Sequence, residues 1–124
     1  MKVETPLGDV VDKITILKIK REKLDKSAAI QNVEKELSTL ILAWKTAALP
    51  DLEQLESYHK LAAVNAELWA IEDALRLFEK QGFFGEGFVQ KARQVYQLND
   101  LRSKLKRQIN VALNSTLTEE KSHF

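Results

Sequence analysis

Two groups of residues have the types and spacing to do chemistry. Glu56 and His59 stand in the Glu-x-x-His pattern by which a carboxylate and an imidazole on one helical face share a metal in di-iron bundles. Such a centre needs a second copy of the pattern and further inward glutamates, and the only other histidine is His123 near the chain end. Neither a metal nor another cofactor is expected. The second group is a polar line at helical spacing: Asn65, Trp69, Glu72 and Arg76 recur at intervals of four, three and four, and Tyr96, Asn99, Lys106 and Asn110 recur similarly, with Arg102 beside them. If the two stretches form a hairpin centred near Phe84, antiparallel pairing sets Glu72 opposite Tyr96, Trp69 opposite Asn99, and Asn65 near Arg102. The cluster reads either as a hydrogen-bond network fixing helix register or as a ligand pocket.

Other chemistries find no support. With no cysteine, two histidines and no serine in a nucleophile-elbow context, a thiol or serine nucleophile has nothing to work with. Gly82-Phe83-Phe84-Gly85-Glu86-Gly87 is rich in glycine but lacks the preceding strand and the Lys-Ser/Thr of a phosphate-binding loop, so it reads as a turn. A net charge of +1 argues against a nucleic-acid partner. The start, Met1-Lys2-Val3-Glu4, has no apolar segment after it and charges interrupt every later stretch, so neither export nor a transmembrane segment is expected, and the cytoplasm is the expected location.

The elements that must position these residues are helices. Length and composition, 124 residues with 44% hydrophobic, suit a single domain spanning residues 1–124. Thr5 as N-cap with Pro6 at the first helical position predicts a helix over about 6–25, with a seam of Leu7, Val10, Ile14, Leu17 and Leu24. The seam Ile30, Val33, Leu37, Leu40 and Trp44 is out of phase with the first, which implies a turn around Asp25 to Ala28, with Ser27 as the cap of a second helix over about 28–47. Asp51 and Gln54 have the spacing of a capping box opening a third helix over 52–81. That helix carries the 3-4 repeat of a coiled coil through Leu61, Val64, Leu68, Ile71, Leu75 and Phe78, and Gly82 stops it. A fourth helix over 86–113 precedes a polar tail, 114–124. No strand pattern appears. The architecture predicted is all-α, an antiparallel four-helix bundle with a long hairpin of the third and fourth helices. Residues 27–81 carry nine acidic against five basic side chains and residues 82–124 seven basic against four acidic, so these two helices are expected to neutralise one another.

Three stretches carry a resemblance. Leu7-Gly8-Asp9-Val10-Val11-Asp12-Lys13-Ile14-Thr15, Asn65-Ala66-Glu67-Leu68-Trp69-Ala70-Ile71-Glu72-Asp73 and Val95-Tyr96-Gln97-Leu98-Asn99-Asp100, together with Glu119-Glu120-Lys121-Ser122, resemble a family of short bacterial all-helical proteins of unknown function. The resemblance implies no activity. It nominates Asp12, Lys13, Thr15, Lys20, Asn65, Trp69, Glu72, Asp73, Arg93, Tyr96, Asn99, Asp100 and Arg102 as candidate binding residues, several of them on the polar line already found by spacing.

Helix lengths point to an interface. At 1.5 Å per residue the first two helices span roughly 30 Å each and the third about 45 Å, so the far end of the hairpin is left uncovered. Leu75, Phe78, Phe83, Phe84 and Phe88 concentrate there, with four of the five phenylalanines. A self-associating assembly or adaptor protein, a dimer first, is the leading expectation, with another protein as a possible partner. A membrane-inserting wedge collared by Arg76, Lys80, Lys91 and Arg93 ranks behind it. The alternative function is an enzyme or binder of a small anionic metabolite, held by Lys13, Lys20, Arg93 or Arg102, with Glu72 or Asp12 available for proton transfer.

Overall fold

A computed structural model describes residues 5–121, with side chains as far as Leu113. It contains α1 (Leu7–Lys23), α2 (Ser27–Thr46), a 3-10 turn (Leu52–Gln54), α3 (Glu56–Gln81) and α4 (Glu86–Lys121), and no strand among the described residues. The helices form a bundle in which α3 and α4 make a long antiparallel hairpin and α1 lies across its root, with α2 packed chiefly on α1. Among the described residues no helix is long and apolar enough to cross a membrane.

The 3-4 seams supply one core: Val11, Ile14 and Leu17 from α1, Val33, Leu37 and Trp44 from α2, Leu52, then Tyr58, Leu61, Val64 and Leu68 from α3, and Leu105, Ile109 and Leu113 from α4. Each such side chain contributes about 1.5–3 kcal/mol of burial, which outweighs any preference at the helix ends. The core stops at Leu68 on α3 and begins only at Leu105 on α4. Between them, from Trp69 to Lys104, no residue is buried.

The helix ends depart from expectation in several places. Thr5 does not cap α1: the cap position falls on Pro6, whose carbonyl accepts from Asp9 N. Ser27 is the first residue of α2 rather than its cap. Asp51 and Gln54 make no capping box; the Asp51 carbonyl instead accepts from Gln54 N within the 3-10 turn, which buries Leu52 before α3 begins. At the other end α4 continues to Lys121, past the stop expected at Leu113, because Asn114 is a weak helix former and not a breaker. The part of the expected polar tail beyond Lys121 lies outside the described residues.

Gly82 does end α3. At φ +66° its N–H donates to the Glu79 carbonyl and that of Phe83 to Phe78, and the Phe78 and Phe83 rings meet at 5.1 Å, the apolar contact that accompanies a Schellman stop.

Candidate functional site

The polar residues gather where α1 crosses the hairpin root. Gly8 begins the contact: a Cβ there would lie 2.9 Å from Asn110 Oδ1 and 3.0 Å from the Lys106 carbonyl carbon, so only glycine lets α1 approach α4 this closely. The Gly8 N–H donates to Asn110 Oδ1 at 2.7 Å. The next residue, Asp9, pairs with Lys106 at 2.8 Å, and one turn beyond Gly8 Asp12 meets Arg102. Aspartates three apart on α1 thus face cations four apart on an antiparallel α4, each spacing keeping its pair on one helical face.

Asp12 is the centre of this arrangement. Arg102 grips it with both edges of the fork, Nε donating to Oδ1 at 2.9 Å and Nη2 to Oδ2 at 2.6 Å. Asn65 spends both amide hydrogens here, one on Asp12 Oδ1 at 2.9 Å and one on Thr15 Oγ1 at 2.8 Å. The Thr15 hydroxyl in turn donates to the Asp12 carbonyl at 2.7 Å. Asp12, Thr15 and Asn65 are all buried, and among the described residues no buried side-chain polar atom lacks a partner. Burial pushes the Asp12 carboxyl up, but the bonds from Arg102 and Asn65, with the charges of Arg102 and Lys106, outweigh it and hold the group below its ordinary value. Arg102 is shifted up by its bond to Asp12 against the opposing effect of burial, and the charges of Asp12, Glu72 and Asp9 add to the rise.

This pairing corrects one expectation. Among the described residues no ion pair joins α3 to α4; the inward cations of α4, Arg102 and Lys106, are taken by α1. The ion pairs within α3 are local ones, Glu56–Lys60 at 3.0 Å and Asp73–Arg76 at 3.2 Å.

Beside the network runs a groove of about 170 Å³ between α1, α3 and α4. Ile16, Ile19 and Leu68 form its apolar part, Asn65 and Arg102 its base, and Trp69, Glu72 and Asn99 its rim. Ile19 and Trp69 are shared with an adjoining hollow of about 430 Å³ that Glu22, Lys23, Ala66, Ala70 and Asp73 complete. Arg102 Nη1 points to Asn99 Oδ1 at a long 3.4 Å. Glu72 makes no hydrogen bond or ion pair among the described residues, yet is near enough for its charge to act on Arg102.

Of the residues the sequence nominated, Asp12, Thr15, Asn65 and Arg102 meet in the network, and Trp69, Glu72 and Asn99 line the groove with Asp73 next to it. Tyr96 stands apart, 56% exposed and outside the groove. Arg93 and Asp100 are exposed on α4, Lys20 is half-buried on α1, and Lys13 is exposed and pairs with Glu36 on α2 at 3.4 Å. The cations suggested for an anion therefore do not converge, and Arg102 is already matched by Asp12. Glu56 and His59 do not converge either: His59 is exposed, its Nε2 2.7 Å from the Glu53 carbonyl, and no cluster of three metal-ligating side chains occurs among the described residues. What spacing missed is Gly8 and Asp9. The available signal was Asp9 and Asp12 at i and i+3, matched by Arg102 and Lys106 at i and i+4.

At the tip, Phe83 and Phe84 are 47% and 55% exposed, while Leu75, Phe78 and Phe88 are half-buried. Phe84 stacks edge-on against Phe88 at 5.4 Å. α1 ends at Lys23, which borders the same hollow as Asp73, and no residue from 75 to 88 is buried, so the tip is left uncovered.

Comparison with curated proteins and with solved structures returns no match. A family model does match, over residues 1–124, and the chain belongs to that family, a family of unknown function designated DUF6165.

Proposed function

We propose that this member of a family without an assigned activity is a self-associating assembly or adaptor protein, and that the distal arm of the α3–α4 hairpin docks against the same arm of a second copy. One observation carries the reading: the 36 consecutive residues from Trp69 to Lys104 include none that is buried. Two antiparallel helices cover one seam of each other and leave the rest to water. On this arm the remainder includes Leu77, Phe83, Phe84, Val89, Tyr96 and Leu101, all between 43% and 56% exposed. Apolar side chains spread along a two-helix arm are what a four-helix section covers, and a second identical hairpin supplies the missing half.

Charge favours a second copy over other occupants. Between residues 71 and 100 the carboxylates are Glu72, Asp73, Glu79, Glu86 and Asp100, and the cations are Arg76, Lys80, Lys91 and Arg93. An anionic membrane or a nucleic acid selects a basic excess, which this arm lacks. A nearly balanced mixture of both signs suits a self-complementary two-fold contact. Light scattering on a size-exclusion column tests the reading: the wild-type chain runs as a dimer, and the double substitution Phe83→Asp, Phe84→Asp gives a folded monomer with an unchanged helical spectrum. A wild-type monomer throughout the micromolar range contradicts it.

A further inference from the structure

We propose that the groove between α1, α3 and α4, at the root of the same arm, is a binding site for a small organic cation, an ammonium carried on an apolar or aromatic body, seated against Trp69 with its charge on Glu72.

The sign of the ligand follows from which charges are already spent. Among the described residues Arg102 is the only cation lining the groove, and Asp12 engages two of its three nitrogens from the buried side at 2.9 and 2.6 Å. An anion entering the groove would meet a guanidinium whose charge is matched at contact distance. It would also meet Glu72, a carboxylate with no hydrogen bond or ion pair among the described residues. Asp12, Arg102 and Glu72 together leave one negative charge. In the adjoining hollow Glu22 and Lys23 are of opposite charge and cancel in sum, and Asp73 is bonded to Arg76 at 3.2 Å, so nothing there reverses the sign. An incoming ammonium is therefore the ion that completes the local balance.

The body of the ligand follows from the walls. Trp69 is half-buried and lines both the groove and the hollow, so its indole borders the two spaces at once. An indole is the best of the aromatic side chains at attracting a cation over its face, and carboxylate and ring together raise affinity when both are partly desolvated. Ile16, Ile19 and Leu68 offer apolar surface to a hydrocarbon or ring, and the Asn99 carboxamide, held only by the long contact from Arg102, can turn its oxygen to an N–H donor. A volume of about 170 Å³ fits one small ring with a short arm rather than a nucleotide.

Benzylammonium, benzyl alcohol and benzoate share one ring and differ in charge, and they serve as probes. In proton–nitrogen NMR spectra of the full chain the two tryptophan indoles report separately: Trp69 in the groove, and Trp44, which is buried and donates to the Pro50 carbonyl at 2.8 Å, as internal control. At millimolar concentration benzylammonium shifts the Trp69 indole and the Asn99 side-chain amide and leaves Trp44 unmoved, with benzyl alcohol several-fold weaker and benzoate without effect. Glu72→Gln, an exposed position that does not threaten the fold, weakens benzylammonium about tenfold, the loss expected for one charge-assisted hydrogen bond. Equal binding of benzyl alcohol, tighter binding of benzoate, an unchanged affinity in Glu72→Gln, or no shift with any probe overturns the proposal.

Discussion

Neutralising Asp12 should unfasten α1 from the hairpin, and its cost can be worked out from the contacts. Asp12→Asn keeps the shape of the side chain but removes the charge that faces the Arg102 fork and puts an NH2 where one carboxylate oxygen accepted. Breaking a buried pair from one side costs about 3–5 kcal/mol, because the partner's charge is left buried. Here the Arg102 side chain is 29% exposed and can recover part of its hydration, so the expectation falls to about 2.5 kcal/mol. With an unfolding entropy near 2.1 cal/mol/K per residue over 124 residues, that loss lowers Tm by about 10 °C. The assay is urea and thermal unfolding followed by circular dichroism for wild type, Asp12→Asn, Arg102→Met and the double variant. Because the two groups mainly serve each other, the double variant should be no less stable than Asp12→Asn alone, giving a coupling of about 1.5 kcal/mol or more. Additive losses, or an Asp12→Asn protein as stable as wild type, would refute the claim that this pair holds α1 in place.

The same carboxyl sets an acid dependence. Its folded pKa lies below the ordinary value, so its stabilisation is complete above the unfolded carboxylate range of about 4 and disappears as pH falls through the lower folded value; the stability gap between wild type and Asp12→Asn should be flat above about pH 5 and close below about pH 4. Gly8→Ala puts a methyl into the Lys106 backbone and should cost about 2–3 kcal/mol in urea unfolding, far more than an alanine in a helical first turn otherwise would. Ala48 closes α2 at φ +57°, a conformation that suits glycine, so Ala48→Gly should raise stability by about 0.5–1 kcal/mol in the same assay.

Helix existence was legible because apolar spacing is a property of the chain itself: Leu61, Val64 and Leu68 mark the inward face of α3 whatever packs on it. The ends were less legible, since Asp51 and Gln54 satisfy a capping pattern equally well on paper whether or not Leu52 is drawn into the core. Hairpin arithmetic set Asn65 near Arg102 and Trp69 near Asn99, and these residues do share a groove. It set Tyr96 there as well, because level along a helix is countable from the turn but the side a residue faces is fixed by how α3 and α4 roll against each other. The role of Asp12 was hidden for a different reason. An aspartate near a helix start has a sufficient explanation in the helix dipole, and nothing local tells that Arg102, ninety positions on, will meet it. Gly8 carries the same lesson, as a glycine that weakens a first turn on its own and makes the crossing possible in the fold.

The central claim, that the hairpin arm is where two chains meet, has a direct test that uses the absence of cysteine from the sequence. A single cysteine introduced at Gln90, exposed midway along the arm, and separately at Ser38, exposed on α2, each takes one spin label per chain. Pulsed dipolar spectroscopy on the labelled chains should give a well-defined intermolecular distance from Gln90 and little or no intermolecular signal from Ser38. No intermolecular signal from Gln90 at concentrations where light scattering reports a dimer, together with a short distance from Ser38, would move the interface to α2 and contradict the account.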